Sequence, residues 1–314
     1  MKQIVVCFSY MLLLTLMNYA VYGTFASSTD SIPGRAWLNI PYANTSPAQK
    51  LDIHLPSVGE GPFPVVIWIH GGGFIGGSKD DPQTALNQRS RTALKNAGFA
   101  VVEINYRLSL EAKWPAQLED IRSVVLFLRK NATQYSLNPD KIGAWGSSAG
   151  GYLAAMMGIM LVNDVKTRIQ AVVDWFGPTD FFNMDADMAL SGVPPKRGPA
   201  GDANSALSIF IGAEVSTHKA KSDSANLIYK VNALDNSALI PPFLIMHGGK
   251  DSSIAANQSV RLHNAITTKF GPVISTYIFL PGGSHSGGDF NLPATEETVI
   301  NFFISKLKYP VLWE

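Results

Sequence analysis

The chain has 314 residues, of which 46% are hydrophobic and 16% are charged. This composition supplies enough apolar side chains for one large domain core and too few charges for a disordered chain. The formal net charge is +1, from 25 Lys and Arg against 24 Asp and Glu. We therefore expect no nucleic acid among the partners of this protein.

Residues 1–26 read as a signal peptide. Lys2 is followed by a long apolar run that ends in small side chains around Ala26, which is typical of a secretory leader cleaved at that point. An uncleaved membrane anchor is the alternative, because about 20 apolar residues can just span a bilayer. We expect cleavage, a secreted or periplasmic domain over residues 27–314, and no stable membrane insertion. Cys7 is the one cysteine, so the mature chain has no disulfides.

Short apolar runs alternate with amphipathic helical patterns along the rest of the chain. The two earliest runs, 37–40 and 51–55, predict antiparallel strands joined through Pro41 and Pro47. Further strands are predicted at 64–69, 99–106, 142–145, 169–175, 243–246 and 274–280, and helices around 84–97, 115–130, 149–161, 257–269 and 295–307. Near-continuous apolar strands are typical of a sheet covered on both faces. The fold class is therefore α/β, with a mostly parallel twisted sheet and helices on both faces.

One stretch interrupts this alternation, an insertion at about 180–240 before the strand that starts at Phe243. A plain connection of this length is uncommon in a compact domain. A loose surface loop is the alternative, but apolar residues such as Leu207, Phe210 and Leu227 favour packing. We predict that the insertion forms helices over one end of the sheet.

A G-x-S-x-G sequence centred on Ser148 lies between an apolar strand and a helical pattern. In a tight strand–turn–helix, glycines two residues either side of the serine avoid side-chain clashes, and the hydroxyl is exposed. The adjoining helix N-terminus favours developing negative charge. Ser148 could instead be an ordinary helix N-cap, but this context favours a nucleophile.

A second glycine-rich sequence, H-G-G-G-F at 70–74, directly follows a buried strand. It is not a phosphate-binding P-loop, because Gly-Ser at 77–78 stands where Lys-Ser/Thr is required. Its spacing also differs from the dinucleotide-binding fingerprint. We expect backbone N–H groups of Gly72, Gly73 and Ala149 to form an oxyanion hole. The histidine of this loop is expected to hold the loop in place and not to act in catalysis.

A nucleophilic serine needs a base, which follows it in this architecture. His285 lies in a glycine-rich loop directly after a strand, where an exposed base belongs, so it is our choice. His247 precedes any suitable acid, and His263 lies in an amphipathic helix where packing is the simpler role.

The orienting acid is expected after the strand before that of the histidine. Asp251 fits this position, 34 residues before the histidine. Asp174 and Asp180 precede the insertion and are expected to be structural, with Asp180 at a helix start. Asp289 follows the histidine and fails the chain order.

The chain resembles α/β-hydrolase-fold esterases with an HGGG motif, related to hormone-sensitive-lipase-like carboxylesterases and most similar to bacterial acetyl-xylan and feruloyl esterases. The resemblance rests on these segments: LDIHLP, PVVIWIHGGGFIGGSK, LEDIRSVVLFLRKNATQYSLNPDKIGAWGSSAGG, DWFGPTDF, PPFLIMHGGKDSSIAANQS and LPGGSHSGG. It implies the same triad, Ser148, Asp251 and His285, and the same oxyanion donors. Ile254-Ala255 replaces the usual Val-Pro after the acid, and Ser284 replaces the usual glycine before the histidine.

The expected reaction is two-step acyl transfer to water without a metal or an organic cofactor, because the six histidines show no ligand pairing. The expected substrate is a short-chain ester, acetyl or feruloyl, of plant carbohydrate. Phe74, Ser147, Trp175 and Phe176 are predicted to form a short acyl pocket. Three alternatives are a general carboxylesterase for small esters, an amidase or formamidase on the same fold, and a non-catalytic binding protein.

Overall fold

The computed structural model describes residues 35–84 and 86–309. The strands are β1 Ala36–Pro41, β2 Lys50–His54, β3 Phe63–Ile69, β4 Ala100–Ile104, β5 Leu137–Ser147, β6 Ala171–Trp175, β7 Phe243–Gly248 and β8 Ser275–Leu280. The α-helices are α1 Gln88–Asn96, α2 Ala116–Lys130, α3 Ala149–Met160, α4 Met184–Ser191, α5 Ala206–Ile211, α6 Lys219–Ser224, α7 Leu227–Ala233, α8 Asn257–Phe270 and α9 Pro293–Phe303. Short 3₁₀ turns at Phe181–Asn183 and Gly288–Asn291 and a π-helical turn at Ile304–Lys308 complete the described elements.

The strands form one eight-stranded sheet in the order β1-β2-β4-β3-β5-β6-β7-β8. β1 pairs with β2 and β2 with β4 in antiparallel orientation, whereas all the other pairs are parallel. The predicted α/β class and the predicted antiparallel start are both confirmed. The carboxyl ends of β3, β5, β7 and β8 lie at the same edge of the sheet, where ligand sites of such sheets form.

Both faces of the sheet are covered, because alternate side chains of the central strands enter two separate cores. On one face, Val65 and Ile67 of β3 pack in the same core as Val124 of α2. On the other face, Val66 of β3 packs in a core with Phe303 of α9. This two-sided burial explains why the parallel strands are apolar at nearly every position.

Two of the element boundaries that differ from the sequence prediction have a clear cause in the structure. The first helix begins at Gln88, later than expected, because Asn87 caps it by accepting a hydrogen bond from Ser90 N–H at 2.9 Å. β5 begins at Leu137 instead of 142, since Leu137 pairs with Phe63 through the backbone although the following residues are polar. Backbone pairing of this kind leaves no hydrophobic pattern in the sequence.

The insertion packs on the domain, as predicted. It contributes helices α4 to α7, and Leu207, Phe210 and Leu227 are buried. The ring of Phe210 stacks on that of Phe74 with 3.9 Å between the centroids. The insertion therefore covers the loop that follows β3 at the carboxyl edge of the sheet.

A buried glutamine ties the start of the insertion to α8. The Gln258 Oε1 atom accepts hydrogen bonds from the N–H groups of Thr179, at 2.8 Å, and Asp180, at 2.7 Å. Its Nε2 atom donates to Asp187 Oδ2 at 2.7 Å. Arg261, one turn further along α8, forms two hydrogen bonds with the same carboxylate. The position of α4 is thus fixed by polar contacts to the buried carboxylate of Asp187.

The predicted signal peptide, residues 1–26, lies outside the described residues and stays a prediction. Within residues 35–84 and 86–309, no helix is both long and apolar enough to cross a lipid bilayer.

We expect the Gln258→Ala variant to lower the free energy of unfolding by about 2–4 kcal/mol, because it leaves buried N–H groups without acceptors. Urea unfolding followed by circular dichroism measures this loss. The matched control is Gln88→Ala, an exposed glutamine at the start of α1, which should change stability by less than about 0.5 kcal/mol. Equal losses in the two variants would contradict the role of Gln258.

Candidate active site

Ser148 occupies the tight turn between β5 and α3. Its backbone has φ 55° and ψ −122°, a conformation that costs energy for a residue with a side chain. The turn is held by a 2.8 Å hydrogen bond from Ser148 N–H to the carbonyl of Trp175. A Cβ on Gly150 would overlap the carbonyl oxygen of Ile69, so only glycine allows this close approach. The Ser148 hydroxyl makes no helix-capping bond, and the alternative of an ordinary N-cap is wrong.

The three predicted triad side chains come together in one hydrogen-bonded chain. His285 Nδ1 lies 2.8 Å from Asp251 Oδ2, and His285 Nε2 lies 3.1 Å from Ser148 Oγ. A carboxylate only accepts hydrogen bonds, so Nδ1 carries the proton and Nε2 accepts from the serine hydroxyl. The loops after β7 and β8 bring the acid and the histidine to the turn after β5, in the predicted chain order.

Asp251 is fully enclosed and multiply hydrogen-bonded. Its Oδ1 atom accepts from the N–H groups of Ser253, at 2.8 Å, and Ile254, at 2.9 Å. Burial by itself raises the pKa of Asp251, but hydrogen bonds from His247 and His285 outweigh it and hold the pKa well below its usual range. The carboxylate is therefore ionised at neutral pH and can orient the histidine beside it.

The glycine-rich loop after β3 turns sharply toward Ser148. Gly72 has φ 108°, and its carbonyl accepts hydrogen bonds from the N–H groups of Ile75 and Gly76. A Cβ on Gly72 would overlap the carbonyl of Gly76. The N–H groups of Gly72, Gly73 and Ala149 donate to no other group in the described part of the chain. These donors are free to bind an oxygen atom brought in by a ligand.

His70 is buried beneath this loop. Its Nδ1 atom lies 2.7 Å from the carbonyl oxygen of Gly71, and its ring stacks on Tyr106 with 4.4 Å between the centroids. Burial lowers the pKa of His70 to about 4. The imidazole is therefore neutral at physiological pH and donates to Gly71, as expected of a residue that holds the loop.

A cavity of about 380 Å³ opens in front of Ser148 and His285. Its other walls come from the loop after β3, from the insertion and from the loop after β7. They comprise Gly73, Phe74, Ile75, Ala149, Pro178, Met184, Arg197, Gly198, Pro199, Ala200, Asp202, Asn204, Ser205, Ala206, Leu207, Ser253 and Ile254. Phe74 is thus the one residue of the expected acyl pocket that lines this cavity.

The other three residues of the expected acyl pocket do not line this cavity. Trp175 packs in the opposite core, where its indole Nε1 donates to the sulfur of Met246 at 3.2 Å. Phe176 is buried behind His285, with 4.8 Å between the two ring centroids. Ser147 faces the backbone of Gly71. The expectation for Trp175, Phe176 and Ser147 is corrected, because Trp175 and Phe176 are both taken up by the core on the opposite face of the sheet and Ser147 lies against the glycine-rich loop.

The insertion supplies cavity residues that sequence reasoning missed. Arg197, Asp202 and Leu207 line the cavity, but they lie far from Ser148 along the chain and in no motif. A second cavity of about 510 Å³ adjoins the first across the segment 197–200. Its walls are Met184, Asp185, Met188, Ala189, Gly192, Val193, Pro194, Pro195, Arg197, Gly198, Pro199, Ala200, Ser252 and Ser253.

Asp174 is a further acidic group near this edge of the sheet. It is fully buried in β6, with Oδ1 accepting from Gly177 N–H at 2.9 Å and Oδ2 without a hydrogen-bond partner among the described residues. Burial raises the pKa of Asp174 to about 6. Within the same described residues, no group of His, Cys, Asp and Glu side chains is placed to hold a metal ion.

The mostly parallel sheet, with a serine on the turn after its central strand and an acid and a histidine on later loops, defines an α/β-hydrolase-fold protein. The BD-FAE family model matches residues 51–266, and the chain belongs to that family.

Curated relatives include esterases. Esterase LipC of Mycobacterium tuberculosis (strain ATCC 25618 / H37Rv) is 26% identical over 254 residues, which are 76% of this chain and 57% of the relative. An acetyl esterase of Salmonella schwarzengrund (strain CVM19633) is 34% identical over 116 residues, 36% of this chain and 34% of the relative. The chain spans about half the length of the mycobacterial relatives it matches.

Solved structures give the same picture of the fold. A truncated form of a carbohydrate esterase from gut microbiota is similar with a TM-score of 0.74 and 28% identity, over 88% of this chain and 97% of that one. A bifunctional GH43-CE protein of Bacteroides eggerthii is similar with a TM-score of 0.72 and 30% identity, over 86% of this chain and 38% of that one.

The raised pKa of Asp174 predicts a pH-dependent stability difference. The pKa of Asp174 is about 6 in the folded protein, above the ordinary value of 3.8. Its protonated form therefore stabilises the fold fully below about pH 3.8, and this contribution is lost as pH rises through about 6. The neutral Asp174→Asn variant escapes this loss. Its stability relative to wild type should therefore rise by roughly 2–3 kcal/mol between about pH 4 and about pH 7.

Thermal and urea unfolding of both proteins across this pH range measure the difference. The exposed substitution Asp140→Asn is the control and should keep the wild-type pH dependence. If the stabilities of wild type and Asp174→Asn vary with pH in parallel, the pKa of Asp174 is not raised by folding.

Proposed function

We propose that this protein is a serine carboxylic-ester hydrolase that acts on short-chain acyl esters, acetyl or feruloyl, of plant carbohydrate. The observation that carries this proposal is the continuous hydrogen-bonded chain from Ser148 through His285 to Asp251. It ends at a cavity that is lined by Gly73 and Ala149, two of the residues expected to donate backbone N–H groups. Esterases among the relatives and a carbohydrate esterase among the similar structures support it.

In the first half-reaction, His285 Nε2 removes the proton of Ser148 as its Oγ attacks the ester carbonyl carbon. The carbonyl oxygen becomes an oxyanion that accepts hydrogen bonds from the N–H groups of Gly72, Gly73 and Ala149. His285 then gives its proton to the alcohol oxygen, and the bond between carbonyl carbon and alcohol breaks. The acyl group remains on Ser148.

In the second half-reaction, His285 takes a proton from a water molecule, which attacks the acyl carbon. The tetrahedral intermediate uses the same oxyanion donors and collapses as His285 returns the proton to Ser148 Oγ. Asp251 keeps His285 in the required tautomer throughout, because Nδ1–H points at its carboxylate. The products are the free acid and the regenerated hydroxyl.

The two cavities suggest where each half of the ester binds. The alcohol must lie on the side of His285 that returns the proton, and the larger cavity is lined by Ser252 and Ser253 of the loop that holds Asp251. Its apolar walls suit the C–H faces of sugar rings, and Arg197 offers donors to hydroxyl groups. The smaller cavity leaves space for a short acyl group between Phe74 and Leu207.

The sequence features of residues 1–26 support export, which would bring the enzyme to extracellular carbohydrate. A general carboxylesterase for small esters differs from the proposed enzyme in its alcohol specificity alone. A formamidase would cleave an amide in place of an ester. Comparison of acetylated xylan with p-nitrophenyl acetate separates the first of these alternatives from the proposed enzyme.

We expect the Ser148→Ala variant to lose about 10⁴–10⁶-fold in kcat, because no other group can form the acyl-enzyme. Acetate release from acetylated xylan and hydrolysis of p-nitrophenyl acetate measure it in parallel. The exposed Ser224→Ala variant is the control and should keep wild-type rates. A fluorophosphonate probe should label wild type and not Ser148→Ala, and absence of labelling in wild type would indicate a binding protein.

We expect the Arg197→Ala variant to lower kcat/KM for acetylated xylo-oligosaccharides by about tenfold, the effect of losing one or two hydrogen bonds. Hydrolysis of p-nitrophenyl acetate should stay within about threefold of wild type, since its alcohol has no sugar hydroxyls. Lys196→Ala removes the neighbouring exposed cation, which lines neither cavity, and should change neither rate. Equal losses on both substrates would argue against an alcohol site at Arg197.

A further inference from the structure

A second histidine lies against the acid of the triad. His247 is the fifth residue of β7, and its side chain is completely buried. Its Nε2 atom lies 2.9 Å from the carbonyl oxygen of Ile254 and 3.3 Å from Asp251 Oδ2. Its Nδ1 atom lies 2.7 Å from the hydroxyl of Ser259 in α8. His247 was not expected to be the base, because it precedes the acid in the sequence. Its hydrogen-bond partners do not include Ser148.

These partners decide which nitrogen of His247 carries a proton. Nε2 faces a carbonyl oxygen and a carboxylate oxygen, and both atoms only accept hydrogen bonds, so Nε2 must be protonated. The hydroxyl of Ser259 can donate to Nδ1 or accept from it, and it therefore fits either charge state of the ring. In both cases the Nε2–H group is directed at Ile254 and Asp251.

His247 and His285 thus share one oxygen of the acid. Oδ1 of Asp251 is occupied by two backbone N–H groups, whereas Oδ2 receives His285 Nδ1 at 2.8 Å and His247 Nε2 at 3.3 Å. A hydrogen bond to a carboxylate oxygen takes up part of its negative charge, and it weakens the attraction of that oxygen for another cation. His247 therefore acts on the same atom that stabilises protonated His285.

We propose that His247 is a positioning residue that limits how strongly Asp251 holds the protonated form of His285, and that it thereby sets the lower pH limit of activity. This inference rests on the proposed esterase function, in which His285 must be neutral to accept the proton of Ser148. Without His247, the more negative Oδ2 attracts the imidazolium more strongly. His285 then keeps its proton to higher pH, and the enzyme is active only above that pH.

Other charged groups also lie near this pair of histidines. Asp174 of β6 interacts electrostatically with His247, and Arg197 and Asp202 line the cavity in front of His285. The hydrogen bonds of both histidines contribute to the lowered pKa of Asp251. If removal of His247 changes the pH dependence of activity, the change can come from its contact with Asp251 or from its interaction with Asp174. A variant without the Asp174 charge separates these two causes.

The experiment compares His247→Gln with His247→Asn in the full chain. The glutamine amide nitrogen can reach the position of Nε2 and still donate to Asp251, whereas the asparagine amide is too short and leaves Oδ2 to His285 alone. The kcat/KM for p-nitrophenyl acetate is measured from about pH 5 to about pH 9, a range in which the acid limb reports the catalytic base.

We expect the acid limb of His247→Asn to move up by about half to one pH unit, with kcat/KM about three- to tenfold lower at about pH 6 and close to wild type at about pH 8.5. His247→Gln should restore most of the wild-type limb. The combined variant Asp174→Asn/His247→Asn should show the same shift as His247→Asn alone. A purely structural role would lower kcat/KM equally at every pH, and that result, or a limb that stays in place or moves down, overturns the proposal.

The pH dependence of the rate of fluorophosphonate labelling at Ser148 gives the same limb without an ester substrate. If the labelling profile of His247→Asn is shifted but wild type hydrolyses the ester slowly, the role of His247 is supported and the proposed substrate is wrong. Labelling that is pH-independent in wild type would instead remove the base role of His285, and with it the proposed function.

Discussion

The close approach of α3 to the end of β3 is the constraint on which the site depends. Gly150 lies so near the carbonyl of Ile69 that no side chain fits between them, and Ser148 has its positive φ in the turn that leads into this contact. The serine hydroxyl, the N–H of Ala149 and the glycine-rich loop are thereby brought to one point. Two cores, one on each face of the sheet, hold β3 and β5 in the register that this contact requires.

The acid of the site, Asp251, is buried, and both oxygens of its carboxylate accept hydrogen bonds. Asp251 is shielded from water, and its two oxygens receive four N–H groups, two from the backbone and two from histidines. Asp174, buried a strand away, has one such donor and an unpartnered oxygen. The opposite directions of the two pKa shifts follow from this difference, since hydrogen bonds favour the ionised form and burial disfavours it.

The insertion forms much of the cavity wall around Ser148 and His285. Phe210 packs on Phe74, and Gln258 fixes the start of the insertion to α8, so Arg197 and Leu207 form a wall of the cavity. The shared architecture brings the triad side chains together, whereas the insertion gives this chain its own pocket. Differences in substrate between relatives of similar fold are expected to arise in such segments.

The sequence by itself determined the α/β alternation, the antiparallel start and the residues Ser148, Asp251 and His285, because strand periodicity, glycine spacing and chain order are local or sequential properties. Only the tertiary structure decided the rest. Trp175 and Phe176 follow the site in sequence but point away from the cavity, since side-chain direction at a strand end depends on the sheet. Arg197 reaches the cavity because the insertion packs there, and the physical reason is that such a contact is made in space and leaves no spacing along the chain to read. His247 lies only four residues before Asp251, but its contact with the carboxylate depends on how the chain turns after β7.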